Sequence, residues 1–399
     1  MKSEFAKVAA TDCARMIEHV GEVEACARDV GDRIAIDGIG QDVAITVTFY
    51  PLVPDQVAKL HIHTEIDRIC EKLYQIVRSV GSKASERSMK VDTACRKLIE
   101  EFRSRPTLRS GSLITTVFGD SIAPRGGNVW LGSLISVLAD FGVSERLVRT
   151  SVFRLSKDGW LQSEQVGRRS YYSLTAQGRE SFEQATQRIY SVPTGHWEGR
   201  WCLLLLSGLD TATKEPVRKE FGWLGFGALS ANVLAHPGPD LAEVDKTMLR
   251  LGISEALIVL EGQTIRNAAG MRQLAHSSWN LTELNGRYEQ FVNRFRPVMK
   301  AIGDAGKISE KQAFIVRTLL IQEYRKVLLR DPLLPQELLL PEWNGVAAYQ
   351  LCRNLYLATH CEADEYVGHT METTDGPLPP PGATFWKRFG GIQESKLSK

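Results

Sequence analysis

The sequence predicts a mixed α+β chain of several domains. Its 399 residues are enough for two or three units, each able to bury a core of its own. Four stretches of the chain differ in texture, and residues 197–263 alternate strand and helix between two mainly helical stretches. Hydrophobic residues make up 43% and charged residues 24%, ordinary for a globular protein. The formal net charge is only +2, so any basic surface must be local. No apolar run approaches the ~18 residues of a membrane span, and the longest, "WCLLLL" at 201–206, has the length of a buried strand. The N-terminus has no signal-peptide core, and the seven cysteines lie apart without a C-x-x-C pair. That usage suits a reducing cytoplasm and argues against a disulfide framework or a zinc finger.

Residues 1–88 read as helix, hairpin, helix. "IAIDGIGQDVAITVTF", ending at Phe49, is strand-like, and Ile62, Ile66, Ile69, Leu73 and Val77 carry helical spacing. This stretch holds 11 Lys+Arg against 14 Asp+Glu, while 89–399 holds 38 against 33. Residues 92–190 are mainly helical and break at "APRGGNVW" (123–130) and at "GWLQSEQVGRRSYYSL". In 197–263 the order is strand 200–206, helix about 213–223, strands about 225–235, helix about 239–251 and strand 256–261. Such an order suggests a small ferredoxin-like α+β sandwich. From about 278 to 368 the chain is helical again, and the tail "DGPLPPPGATFWKRFGG" is too rich in Pro and Gly for regular structure.

The basic segment from Ser144 to Leu174 carries the most chemistry. Ser144 is a good N-cap, and Glu145 lies in the first turn, where the helix dipole favours an acid. Leu147, Val148, Ser151, Val152 and Leu155 form one apolar stripe with a small residue at its middle. The opposite stripe holds Arg146, Arg149, Thr150, Phe153, Arg154 and Lys157, and Gly159 ends the helix. Two short strands follow, meeting at Gly167, Arg168 and Arg169. Upstream, Leu131 to Phe141 reads as a second amphipathic helix, with "FGVS" as the tight turn between. Between 144 and 174 there are six cations against three acids. A solvated helix face is the plain reading of such a run; turn, basic helix and arginine-tipped hairpin together are the layout of a winged helix-turn-helix. In that layout the helix enters the major groove and the hairpin tip touches flanking backbone. Arg149 and Thr150 would then face base edges with Arg146 and Arg154 beside them, and Lys157, Arg168 and Arg169 would hold phosphates.

The stretch "GSLITTVFGDSIAPRGGNVWLGSLISVLADFGVSERLVRTSVFRLSKDGWLQSEQVGRRSYYSLTAQG" resembles the N-terminal domain of the PaaX family, repressors of phenylacetic acid catabolism. The likeness continues through "WEGRWCLLLL", "GFGALSANVLAHP", "SWNLTELNGRYEQFVNRFRPV" and "RDPLLPQELLLPEWNG" to "FWKRFGG", covering about residues 90–391. It implies a winged helix over 89–192, a central ferredoxin-like, Cas2-like domain over 193–270 and a helical effector and dimerisation domain over 271–391, with 392–399 as a tail. It further implies a cytoplasmic, non-enzymatic homodimer on operator DNA near phenylacetate-degradation genes. Phenylacetyl-coenzyme A or a related aryl-acyl-CoA would be the releasing effector, with no cofactor and no membrane contact. Residues 1–88 match nothing in the family pattern, and Met89 lies where a member would begin; Met89 is therefore the expected true start, with a genuine extra N-terminal module of unknown role as the alternative. Leu340 stands where the family often has proline, with Pro341 one step later; that touches the local loop only.

An effector of this class needs cations for phosphates and apolar or aromatic faces for its rings. Trp279, Tyr288, Arg294, Arg296, Tyr324 and Arg325 supply that mixture at helical spacing, although aromatic stripes of this kind usually belong to a core. Two rival functions stay in view. Asp210, after the first central strand, would be the metal-binding aspartate of a Cas2-like metal-dependent nuclease, but no second carboxylate lies near it, and Thr213 and Glu215 follow it as in a helix N-cap. The other rival is an adaptor using the winged helix to bind protein. "HIH" at 61–63 has no third metal ligand in view, and neither a P-loop nor G-x-S-x-G is present.

Overall fold

A run of ten consecutive buried residues, Ala313 to Gln322, locates the centre of the unit formed by residues 88–399. They belong to α10 (Glu310–Leu328), and a helix buried on every side must be surrounded by others. The structure is a computed structural model. It describes residues 33–37, 46–50, 89–105, 110–192, 197–266, 268–305 and 308–392. The chain divides into two compact units, 1–87 and 88–399. In the first, β1 (Arg33–Asp37) pairs antiparallel with β2 (Thr46–Tyr50), within the hairpin expected there. The helices expected in 1–88 and the "HIH" stretch lie outside the described residues.

The second unit opens with α1 (89–103) and α2 (Ser110–Val117). A π turn (Phe118–Ile122) and a 3-10 turn (Ala123–Arg125) lead to β3 (Asn128–Trp130), where the sequence breaks at "APRGGNVW". Then come α3 (Leu131–Ala139), α4 (Glu145–Lys157), β4 (Leu161–Val166), β5 (Arg169–Leu174) and α5 (Ala176–Tyr190). The strands form a three-stranded sheet in the order β3-β5-β4. α3 stops at Ala139 rather than at Phe141, because Phe141 turns inward and is wholly buried beside Phe102 and Phe314.

The middle segment runs β6 (Arg200–Leu205), α6 (Thr211–Trp223), β7 (Gly227–Ser230), β8 (Val233–His236), α7 (Leu241–Leu251) and β9 (Ile258–Gln263). Its four strands lie in the order β7-β8-β6-β9 with every pairing antiparallel, the ferredoxin-like arrangement. Alternation along β6 explains why both faces are covered. Cys202 and Leu204 face α6 and α7, whereas Trp201 and Leu203 face α8 (Ala268–Ser278) and the segment around Leu334 and Leu338. β9 is an edge strand, and its Ile258, Val259 and Leu260 remain exposed.

The helical remainder is α9 (Leu281–Ala305), α10, α11 (Asn344–Thr370), a short hairpin of β10 (Glu372–Thr373) and β11 (Gly376–Pro377), and α12 (Ala383–Trp386). Its core is continuous with that of residues 89–190. Val91, Leu113, Val148 and Phe182 belong to the same apolar cluster as Phe295, Phe314, Tyr356 and Phe389, while α6, α7 and the central sheet keep a separate one. A buried ionic network ties the two halves of that large core. Asp120, in the π turn, accepts hydrogen bonds from Tyr190 (2.7 Å) and Tyr356 (2.9 Å) and ion-pairs with Arg317 and Arg388 (3.0 Å each). Burial alone would raise its carboxyl, but the two guanidinium groups and both hydroxyls hold it below the usual carboxylate range. Asp364 takes Arg125 (2.7 Å) and Arg317 (2.6 Å), and Arg388 lies 4.1 Å above the Tyr190 ring. The motifs "APRGG" and "FWKRFGG" thus supply two of the three buried arginines. No helix among the described residues is long and apolar enough to cross a membrane.

Candidate nucleic-acid interface

The spacing of apolar residues in α4 decides which of its side chains meet solvent. Val148, Ser151 and Val152 are buried, and the small Ser151 lets α4 approach α2 closely enough for a 2.6 Å hydrogen bond between Ser151 and Ser110 hydroxyls. That orientation leaves Arg146, Arg149, Thr150, Phe153, Arg154 and Lys157 exposed along the opposite face. Ser144 caps the helix by accepting from the Leu147 amide, and Gly159 follows its end with φ +76°. Phe153 is 68% exposed among the arginines, where burial would have favoured it by about 1.5–3 kcal/mol. The turn before α4 is held from below: Asp140 accepts from Tyr366 (2.5 Å) and pairs with Lys311 (2.5 Å), on α11 and α10 respectively.

β4 and β5 meet through a two-residue loop, since Val166 is opposite Arg169. Gly167 at the first loop position has φ +61°, the conformation a II′ turn needs there and a Cβ disfavours. Arg168 stands at the tip. Arg169 is placed differently: its guanidinium lies 4.2 Å over the Trp130 ring and pairs with Glu372 of β10 at 2.6 Å. Arg149 is steadied by Glu145 one turn earlier, at 2.7 Å. Arg146, Arg154, Lys157 and Arg168 form no ion pair among the described residues. The roles of Trp130 and Glu372 escape sequence reading, because Glu372 is some 200 positions from its partner and no local pattern marks it.

The six effector candidates do not converge on one place. Tyr288 and Tyr324 are core residues, 1% and 3% exposed; Tyr288 donates to Asp331 at 2.6 Å, and Tyr324 packs against Phe291. Trp279 packs beside Trp201 of the central sheet and donates to the Gly225 carbonyl at 2.7 Å. Arg294 bonds to Glu101 and Glu323, and Arg296 is exposed. Arg325 is half-buried and donates to the Ser112 carbonyl and hydroxyl at 2.9 and 2.8 Å. Asp210 caps α6: it accepts from the Thr213 amide and hydroxyl, both at 2.8 Å, and those bonds keep its carboxyl below the usual range. No group of three metal-ligating side chains occurs among the described residues.

Three sequence profiles match the chain. "PaaX-like protein" covers residues 109–178, "PaaX protein central Cas2-like domain" covers 194–275, and "PaaX-like protein C-terminal domain" covers 279–369. A curated relative, the "Transcriptional repressor PaaX" of Escherichia coli strain K12, is 42% identical over 284 residues, which are 70% of this chain and 90% of the relative. Among solved structures, an uncharacterised Mycobacterium tuberculosis protein aligns with a TM-score of 0.39 and 22% identity over 59% of this chain and 89% of its own. With three successive profiles matched and nine-tenths of the Escherichia coli relative covered, this chain belongs to the PaaX family.

Proposed function

We propose that the chain is a DNA-binding transcriptional repressor of phenylacetate-degradation genes, acting as a homodimer and released from its operator by phenylacetyl-coenzyme A or a related aryl-acyl-CoA. The observation that carries this reading is the exposed face of α4, where Arg146, Arg149, Arg154 and Lys157 flank Thr150 and Phe153. In this reading residues 89–192 are a winged helix-turn-helix, 193–270 a central domain and 271–391 the effector and dimerisation domain. α4 lies in the major groove with Arg149 and Thr150 at base edges, and Phe153 is suited to a thymine methyl. Arg146 and Arg154 flank them, while Lys157, Arg168 and Arg169 neutralise phosphate, Arg169 from its seat on Trp130. A non-enzymatic role agrees with Asp210, whose carboxylate is already engaged as a helix cap. Repression is steric, and release follows only if the thioester binds better to an arrangement unfit for DNA.

Fluorescence anisotropy of the full chain on DNA from its own upstream region, across a salt series, tests the reading. Binding that weakens steeply with salt and is reversed by phenylacetyl-coenzyme A, but not by free phenylacetate, is the expected result. Salt-insensitive or absent binding would favour the adaptor, and magnesium-dependent cleavage lost in Asp210→Ala would favour the nuclease.

A further inference from the structure

A cleft of about 530 Å³ opens where α1, the end of α6, α9 and α10 approach one another. Arg105, Arg287, Arg325, Lys326 and Arg330 line it, together with Trp223, which is 65% exposed; no carboxylate is among the lining residues. The counter-charge these cations find is meagre. Arg105 and Lys326 share Glu323, at 2.9 and 2.7 Å, with Arg294 as a third claimant at 3.1 Å. Arg287 pairs with Glu283 at 2.5 Å. Arg330 forms no ion pair among the described residues. Arg325 is the telling case. Its only polar contacts among the described residues are with Ser112, its Nε is buried without a partner, and burial lowers its hold on its proton.

A desolvated guanidinium facing no carboxylate is expensive unless an anion completes it. Guanidinium forks match phosphate oxygens two at a time, and an exposed indole offers a face for a planar ring. The volume falls within the range of roughly 300–1,000 Å³ typical of small-ligand sites. We propose that this cleft binds a small molecule bearing several phosphate groups, held by Arg287, Arg325, Lys326 and Arg330, with a planar ring against Trp223. A second hollow of about 400 Å³, beside β6 and β9, does not compare, because Glu198 and Glu261 themselves line it and both pair with Arg200, the one cation in its lining.

The cleft is joined to α4 by bonded contacts. Arg325 and the Gln322 amide both hold Ser112 of α2, and Ser110 of the same helix bonds to Ser151 of α4. A ligand that draws Arg325 onto its phosphates competes with Ser112 and so loads the helix on which α4 rests. This consequence for DNA depends on the repressor reading above; binding in the cleft does not.

The test is titration calorimetry of the full chain with phenylacetyl-coenzyme A, coenzyme A and inorganic tripolyphosphate. It compares the wild type with Arg287→Gln/Arg330→Gln, Arg325→Gln, Trp223→Ala and the control Arg200→Gln. The double variant changes outlying side chains only, so it stays informative if Arg325→Gln fails to fold. Each lost charge-assisted contact is expected to weaken binding by about tenfold or more, and Arg200→Gln to change nothing. Trp223→Ala should weaken the two ring-bearing ligands and leave tripolyphosphate unchanged. Wild-type affinity for the thioester in Arg287→Gln/Arg330→Gln overturns the site while leaving the effector reading standing. Equal affinity for coenzyme A and its thioester, both lost in the variants, supports the site and counts against the effector reading. Binding of none of the three overturns the site.

Discussion

Replacing Asp120 by Asn removes one negative charge from a fully buried ionic cluster while keeping its shape. Asp120 is 1% exposed, and it opposes Arg317 and Arg388, whose side chains are 0% and 3% exposed. With Asn in place, three buried guanidinium groups (Arg125, Arg317 and Arg388) share the single carboxylate of Asp364. Breaking a buried pair by removing one partner costs about 3–5 kcal/mol, because the remaining charge stays desolvated. At roughly 2–4 °C per kcal/mol for a domain of this size, the thermal midpoint should fall by on the order of 10 °C. The exposed pair Glu372–Arg169 is the control, since surface pairs contribute about 0–1 kcal/mol and Glu372→Gln should barely shift the midpoint. Circular dichroism on heating, checked by urea midpoints at neutral pH, reads both variants. If Asp120→Asn melts within 2 °C or so of the wild type, the network is not what ties α2, α5, α10 and the C-terminal turn together.

Burial and the charge of Arg188 lower the His236 pKa to about 4, against a small opposing bond to the Pro332 backbone. The neutral form is therefore the stable one. Its contribution, on the order of 3 kcal/mol, is whole above the unfolded value of about 6.5 and is lost as pH falls toward 4; urea midpoints between pH 7 and 4.5 should drop less in His236→Gln than in the wild type. In Gly178→Ala the new Cβ would sit 2.3 Å from the Trp160 carbonyl oxygen. The start of α5 must shift, at a cost of about 1–3 kcal/mol measurable by urea unfolding, and an unchanged midpoint would contradict that geometry. Arg168→Ala should weaken binding to all DNA sequences about equally and reduce the slope of log affinity against log salt by about one. Unequal losses between sequences would give the hairpin tip a base-reading role instead.

Much of this was legible because it is local. The cap at Ser144, the stripe Val148–Ser151–Val152 and Gly167 act over a few residues, so one segment is enough to orient α4 and the hairpin. The ferredoxin-like order of the middle segment is equally local, since each strand and helix is short and carries its own period. What escaped is set by contacts between distant segments. Tyr288 and Tyr324 have the spacing of a pocket wall, yet Asp331 and Phe291 draw them into the core. The cleft gathers Arg105, Trp223 and Arg330 from three separate stretches, and no spacing in one dimension predicts that meeting. Similarly, Asp120 reads as an ordinary polar residue until tertiary packing places Arg317 and Arg388 against it.

We propose that α4 reads DNA sequence through the exposed face that carries Arg149. The most direct test is the affinity of Arg149→Ala for DNA from the chain's own upstream region and for random DNA, by anisotropy at one fixed salt concentration. A loss of roughly 1–3 kcal/mol on the upstream DNA, with little change on the random duplex, is the predicted result. An equal loss on both, or none on either, would contradict the account.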